Sequence, residues 1–75
     1  MNKNEVIDLY NEHETDRIIV RHKKSKTIYD LSRDVVDCAE DEYVYGYFVE
    51  DNPRRKTIHG WFYLENVEFV RPVKT

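Results

Sequence analysis

Apolar residues recur in two different rhythms along this chain. In the first fourteen residues Val6 and Tyr10 stand four apart, with Ile7 and Leu9 beside them, while Glu5, Asp8 and Glu12 fall on the other side. That spacing places the apolar side chains on one flank of a helix and the carboxylates in water. Asn2 or Asn4 can cap its start, and Glu5 suits the positive end of the helix dipole. A helix this short is marginal alone and must dock on something.

From Arg17 onward the rhythm changes to that of strands. Arg17-Ile18-Ile19-Val20-Arg21 is a short β-branched run. Lys23-Lys24-Ser25-Lys26 is polar and turn-like, and Thr27 to Leu31 alternates so that it can pair back as a hairpin. Asp34 to Ala39 reads as a third, weaker strand, with helix as the alternative. The two strongest strands are Glu42 to Glu50 and Thr57 to Leu64, separated by the turn signal Asp51-Asn52-Pro53. Each carries an interior glycine, Gly46 and Gly60, which suggests a bulge or a sharp bend of the kind that lets a small sheet curl. Glu65-Asn66 suits one helical turn, and Val67-Glu68-Phe69-Val70 alternates as a last strand before Pro72.

The pattern predicts one domain over residues 1–75, with a helix in 1–14 and a β-barrel in 17–72. The fold class expected is α+β: a short N-terminal helix on a curled antiparallel sheet of about five strands. Closure would hide edges in a chain this rich in β-formers. The expected core is Ile18, Val20, Ile28, Leu31, Val44, Phe48, Ile58, Phe62, Leu64, Val67 and Phe69.

The order Tyr43-Val44-Tyr45-Gly46-Tyr47-Phe48-Val49, a turn, Trp61-Phe62-Tyr63-Leu64, Glu65-Asn66 and Val67-Glu68-Phe69-Val70 resembles the closing half of small SH3-like and Sm-like barrels. It is also similar to the barrel of WYL-type ligand-sensing domains, and Arg17 to Leu31 fits the opening hairpin of such a barrel. No ligand-binding residue is carried over from those families. Short, Tyr-rich chains with blocks of charge resemble small accessory proteins of bacteriophages. That resemblance implies an inhibitor that occupies the DNA-binding surface of a host protein in the host cytoplasm.

Composition limits what such a domain can do. A chain of 75 residues supplies a core worth only about 3–5 kcal/mol of net stability and has little room for a deep pocket. A working surface is therefore expected in place of a cavity. Cys38 is the single cysteine, so no intramolecular disulfide or multi-cysteine zinc site forms within one chain. An unstapled small domain with no long apolar run reads as intracellular, with no membrane association.

The residues that carry chemistry elsewhere are scattered here. His13, His22 and His59 lie in different segments without metal-ligand spacing, so no metal and no cofactor is expected. Cys38 stands among Asp37, Glu40 and Asp41, the opposite of the electropositive setting that activates a thiol. No phosphate-binding glycine loop is present. The expectation is a non-enzymatic protein.

Charge separates the remaining readings. The net charge of −3 conceals blocks of alternating sign. Residues 34–51 hold seven carboxylates (Asp34, Asp37, Glu40, Asp41, Glu42, Glu50 and Asp51) and no Lys or Arg. These are the candidate protein-binding residues: an acidic, DNA-mimicking face for a basic host protein such as a nucleoid-associated protein, RNA polymerase or a nuclease. The alternative is nucleic-acid binding by Arg21, Lys23, Lys24, Lys26, Arg54, Arg55 and Lys56 in two turns, with Tyr29, Tyr45, Tyr47 or Trp61 stacking bases. A pI near 5.5 weighs against that alternative. The aromatic strands hold more apolar side chains than one small face needs, and a homodimer would cover the surplus.

Overall fold

The computed structural model describes residues 1–49 and 58–74. Helix α1 spans Lys3–His13. The Asn2 side chain accepts from the Glu5 amide while the Glu5 carboxylate accepts from the Asn2 amide, a capping box that fixes the start. Glu14 ends the helix in the left-handed region at φ 51°. Val6 and Tyr10 are the fully buried pair, as their spacing predicts.

Five strands follow: β1 (Arg17–His22), β2 (Ile28–Ser32), β3 (Tyr43–Phe48), β4 (His59–Tyr63) and β5 (Val67–Pro72). A short helix, α2 (Arg33–Cys38), links β2 to β3, and a single 3-10 turn, Leu64–Asn66, links β4 to β5. All pairings are antiparallel, in the order β4-β3-β2-β1-β5. The molecule is thus a small α+β domain, an N-terminal helix on a five-stranded antiparallel sheet. Among the described residues β4 and β5 are the two edges and do not pair with each other.

Of the segment 34–39, residues 34–38 are helical, not the strand favoured by its two valines, and Ala39 is the extended cap of that helix. Val35 and Val36 are adjacent, and only Val36 is fully buried, in the main core. β2 ends at Ser32, and only Tyr29 and Asp30 of β2 pair with β3. One and a half helical turns fill the gap left where β2 stops short of the first half of β3. Arg33 and Asp37 add an i,i+4 pair at 3.7 Å, worth a few tenths of a kcal/mol on an exposed helix.

The bulge also lies elsewhere than expected. β3 and β4 stay in register from Tyr43↔Tyr63 to Tyr47↔His59, with Gly46 directly opposite Gly60. The irregularity falls between Ile19 and Val20 where β1 meets β5. Neither glycine has a positive φ. They serve close approach: a Cβ on Gly46 would lie 3.0 Å from the Tyr29 Cβ, and one on Gly60 would lie 3.1 Å from the Phe48 ring. The paired glycines make room for Tyr29, which packs against Phe62 and Phe48 with ring centroids 4.5 and 5.3 Å apart.

The core unites Val6, Tyr10, Ile18, Val20, Tyr29, Leu31, Val36, Val44, Phe62, Leu64 and Val67. Of the expected core, Phe48 and Phe69 are partly buried, Ile28 is half-buried and Ile58 is 43% exposed. Tyr29 and Val36 take the places that Ile28 and Ile58 do not.

Tyr10 ties helix to sheet: its hydroxyl donates to the Leu31 carbonyl oxygen at 2.8 Å. Burial, reinforced by the carboxylates of Asp30, Asp37 and Asp16 against the opposing Arg33, pushes its phenol well above the ordinary value of 10.0. The folded state therefore keeps a proton that the unfolded chain releases. This contribution is complete below pH 10.0 and is lost as pH rises beyond it, at up to about 1.4 kcal/mol per pH unit. Tyr10→Phe should cost about 1 kcal/mol at neutral pH and flatten the alkaline fall in stability. Urea melts of both proteins between pH 8 and 11 measure this, and parallel pH profiles would contradict it.

Candidate functional site: an exposed aromatic face with an acidic end

Strand alternation sends successive side chains of β3 and β4 to opposite faces. Val44, Gly46, Phe62 and Leu64 turn toward the core. Their neighbours Tyr43, Tyr45 and Tyr47, and His59, Trp61 and Tyr63, share the other face. Register sets these six rings directly opposite one another as Tyr43↔Tyr63, Tyr45↔Trp61 and Tyr47↔His59.

The rings form one continuous surface. Tyr63 and Tyr43 have centroids 4.6 Å apart, Tyr43 and Trp61 5.3 Å, Trp61 and Tyr45 5.2 Å, and Tyr45 and His59 5.2 Å. Tyr47 closes the far end against His59 at 5.9 Å. Such cross-strand pairs stabilise a sheet modestly, but they leave much aromatic area in water. Trp61 is 54% exposed, Tyr63 50% and Tyr43 40%. Contiguous exposed apolar patches are uncommon on small soluble domains, where exposed apolar residues are usually scattered singly.

One end of this face is acidic. α2 and the bend after it carry Asp34, Asp37, Glu40 and Asp41, all exposed, and Glu42, half-buried. The Asp41 carboxylate accepts from the Tyr43 amide at 3.0 Å, and the Glu42 carbonyl accepts from the Leu64 amide at 2.9 Å, so the acidic bend is tied to the start of β3 and the end of β4. Asp41 and Glu42 thus adjoin the Tyr43–Tyr63 end, Asp34 lines the space between α2 and Tyr43, and Asp37 pairs with Arg33. Glu50 and Asp51 lie outside the described residues. α1 runs beside α2, with Lys3 donating to the Ala39 carbonyl at 2.8 Å and Arg33 donating to the Asn11 side chain at 2.9 Å. Asp8 and Glu12 are exposed on that neighbouring helix.

Between α2 and the aromatic face lies a cavity of about 310 Å³. Tyr43, Tyr45 and Trp61 form one wall, and Asp34, Val35 and Cys38 the other. The cavity is open to solvent, a groove in the surface and not a deep pocket.

The basic residues are placed differently. Arg21 pairs with Glu68 across β1 and β5 at 2.8 Å and holds that carboxylate below its ordinary range. The Lys23 ammonium donates to the Glu65 carbonyl at 3.1 Å. Lys24 and Lys26 are exposed in the β1–β2 turn. Outside this set, Arg17 is engaged by Asp30, a hydrogen-bonded pair that raises the guanidinium value further. Arg54, Arg55 and Lys56 lie outside the described residues, in the connection between β3 and β4. Tyr29, proposed as a stacking residue, is 8% exposed and belongs to the core; Tyr45, Tyr47 and Trp61 are on the aromatic face.

The histidines serve three settings. His13 stacks on Phe69 with centroids 5.4 Å apart, and His22 Nδ1 accepts from the amides of Lys24 and Ser25. His59 belongs to the aromatic surface. Cys38 is exposed on the groove wall. Among the described residues no group of acidic, histidine and cysteine side chains converges on a metal position, and no helix is long and apolar enough to cross a membrane.

Comparison of the chain with protein-family models, with curated proteins and with solved structures found no match.

Proposed function

We propose that this domain is a non-enzymatic interaction module that docks a basic protein segment on the β3–β4 aromatic face, with the carboxylates of residues 34–42 supplying charge complementarity. The observation that carries this reading is the joining of six surface rings to an acidic end. Aromatic side chains give a docking surface its hot spots, and a field of one sign steers and selects the partner. Asp34, Asp37, Glu40, Asp41 and Glu42 are the charges assigned to this role.

The finer reading of the fold belongs with this proposal. The strand order β4-β3-β2-β1-β5 and the 3-10 turn between β4 and β5 support an SH3-like or Sm-like rolled sheet. A small inhibitor in the style of phage accessory proteins, acting in the cytoplasm on a nucleoid-associated protein, RNA polymerase or a nuclease, is the biological setting that fits a negative surface built to meet a positive one. Exposed carboxylates on both helices, Asp8 and Glu12 on α1 and Asp34 and Asp37 on α2, support the phosphate-mimicking version of that role.

Nucleic-acid binding is the second reading. Tyr45, Tyr47 and Trp61 on one exposed face favour it, because bases can stack on such rings. The acidic groove beside those rings opposes a phosphate backbone.

Titration of the full chain with a Lys/Arg-rich peptide, and separately with duplex and single-stranded oligonucleotides, tests both. The peptide should bind, and its affinity should fall as salt is raised toward 1 M, where the Debye length is about 3 Å. Reversing Asp37, Glu40 and Asp41 to Lys should weaken it about ten-fold or more. Oligonucleotide binding that drops when Arg54, Arg55 and Lys56 become Ala, without peptide binding, would establish the second reading instead. A concentration-dependent mass in light scattering, lost on Trp61→Ala, would mean that a second copy covers the face.

A further inference from the structure

We infer that the groove between α2 and the β3–β4 face is a receptor for one arginine side chain of the docked partner. The inference rests on the reading of this face as a docking surface and names the chemistry of its anchor. At about 310 Å³ the cavity is at the small end of ligand sites, the size for one long side chain rather than a nucleotide.

Its lining fits a guanidinium in each respect. Tyr43, Tyr45 and Trp61 offer aromatic faces over which a flat cation stacks, and Arg makes such contacts more often than Lys. Val35 and Ala39 give the methylene stem an apolar wall. Asp34 is the one charged residue in the lining among the described residues, and its carboxylate can accept two parallel N–H bonds from the guanidinium fork. Among the described residues no basic side chain lines the groove to compete for the carboxylate. An anionic guest would meet Asp34 and the carboxylates of Asp37 to Glu42. A neutral guest would cover part of Asp34 and offer it at most a hydrogen bond without the compensating positive charge. An ammonium lacks the planar shape that satisfies ring and carboxylate together.

Trp61 is the only tryptophan in the chain and lines the groove, so its fluorescence reports occupancy directly. The probe is an acetylated, amidated peptide of Lys and Gly with one central Arg, compared with the same peptide carrying citrulline, its neutral isostere, or a further Lys at that position. The arginine peptide should bind about three- to thirty-fold more tightly than the citrulline peptide, the range of a cation–π contact from exposed to desolvated, and also more tightly than the lysine peptide, whose ammonium makes that contact without the planar fork. Asp34→Asn should remove up to about five-fold of that preference, and Asp34→Glu should retain it. Equal affinities for the three peptides overturn the arginine receptor. If all three still bind and isothermal titration, which needs no tryptophan, shows that all are lost in Trp61→Ala, the docking surface stands and only its anchor is misassigned. If none binds, both readings fall.

Discussion

Gly46→Val should unfold a large share of the molecules at room temperature. A Cβ at this position would sit 3.0 Å from the Tyr29 Cβ, 3.1 Å from Phe62 Cε1 and 3.2 Å from the Asp30 carbonyl oxygen. Two of those three neighbours belong to β2 close to its backbone and cannot rotate away. Valine adds two further methyl groups to the same space. Overpacking typically costs about 1–3 kcal/mol and more where the backbone must move. The whole domain holds only about 3–5 kcal/mol. Gly60→Ala is the informative companion. Its Cβ would meet Phe48 Cζ at 3.1 Å and Tyr29 Cε1 at 3.2 Å, which are ring edges that can tilt. The loss there should be clearly smaller. Thermal melts of the two variants would contradict this account of the glycine pair if Gly46→Val melted with the wild type, or if Gly60→Ala were the more damaging.

Trp61→Ala should abolish peptide docking while the domain stays folded. Trp61 is 54% exposed and contacts Tyr43 and Tyr45 at the centre of the aromatic surface. Central, aromatic interface residues cost about 2–4 kcal/mol on truncation, which is roughly thirty-fold to a thousand-fold in affinity. Its loss from an exposed cross-strand pair removes only about 0.2–1 kcal/mol of stability. Tyr43→Ala should follow it in direction, because Tyr43 links Tyr63 to Trp61. Val70→Ala, exposed on β5 at the opposite edge of the sheet, should leave docking unchanged. Isothermal titration with the basic peptide, beside a melt for each variant, separates the two effects. Docking by Trp61→Ala at wild-type affinity would remove the aromatic face from the account.

Parts of this arrangement are legible in the sequence, and the reasons are local. Asn2, Glu5, Val6 and Tyr10 carry cap, dipole and periodic signals that agree, so α1 is readable residue by residue. The hairpin of β1 and β2 and the turn after Leu64 are equally plain. Segment 34–39 is ambiguous because two adjacent valines satisfy a strand, and the need for a helix arises only from where β2 stops pairing with β3. That same event creates the groove, so the groove has no local signature.

The aromatic face was half visible. Tyr45, Tyr47 and Trp61 are readable as surface rings, yet both faces of β3 and β4 are rich in large side chains, and alternation alone does not say which face is inside. The glycines carry that information. Gly46 and Gly60 must face the crowded side, where Tyr29, Phe48 and Phe62 pack, which turns the odd-numbered rings outward. The run of carboxylates in 34–51 was evident, but its placement beside Tyr43 and Tyr63 depends on long-range register.

Backbone amide shifts of the labelled full chain, recorded by NMR during titration with the basic peptide and with an oligonucleotide, test the central claim most directly. The account predicts that the peptide shifts Asp34 to Tyr47 and His59 to Tyr63, while Arg21 to Lys26 stay still and the oligonucleotide moves little. Shifts confined to the β1–β2 turn, or an oligonucleotide response without a peptide response, would contradict it.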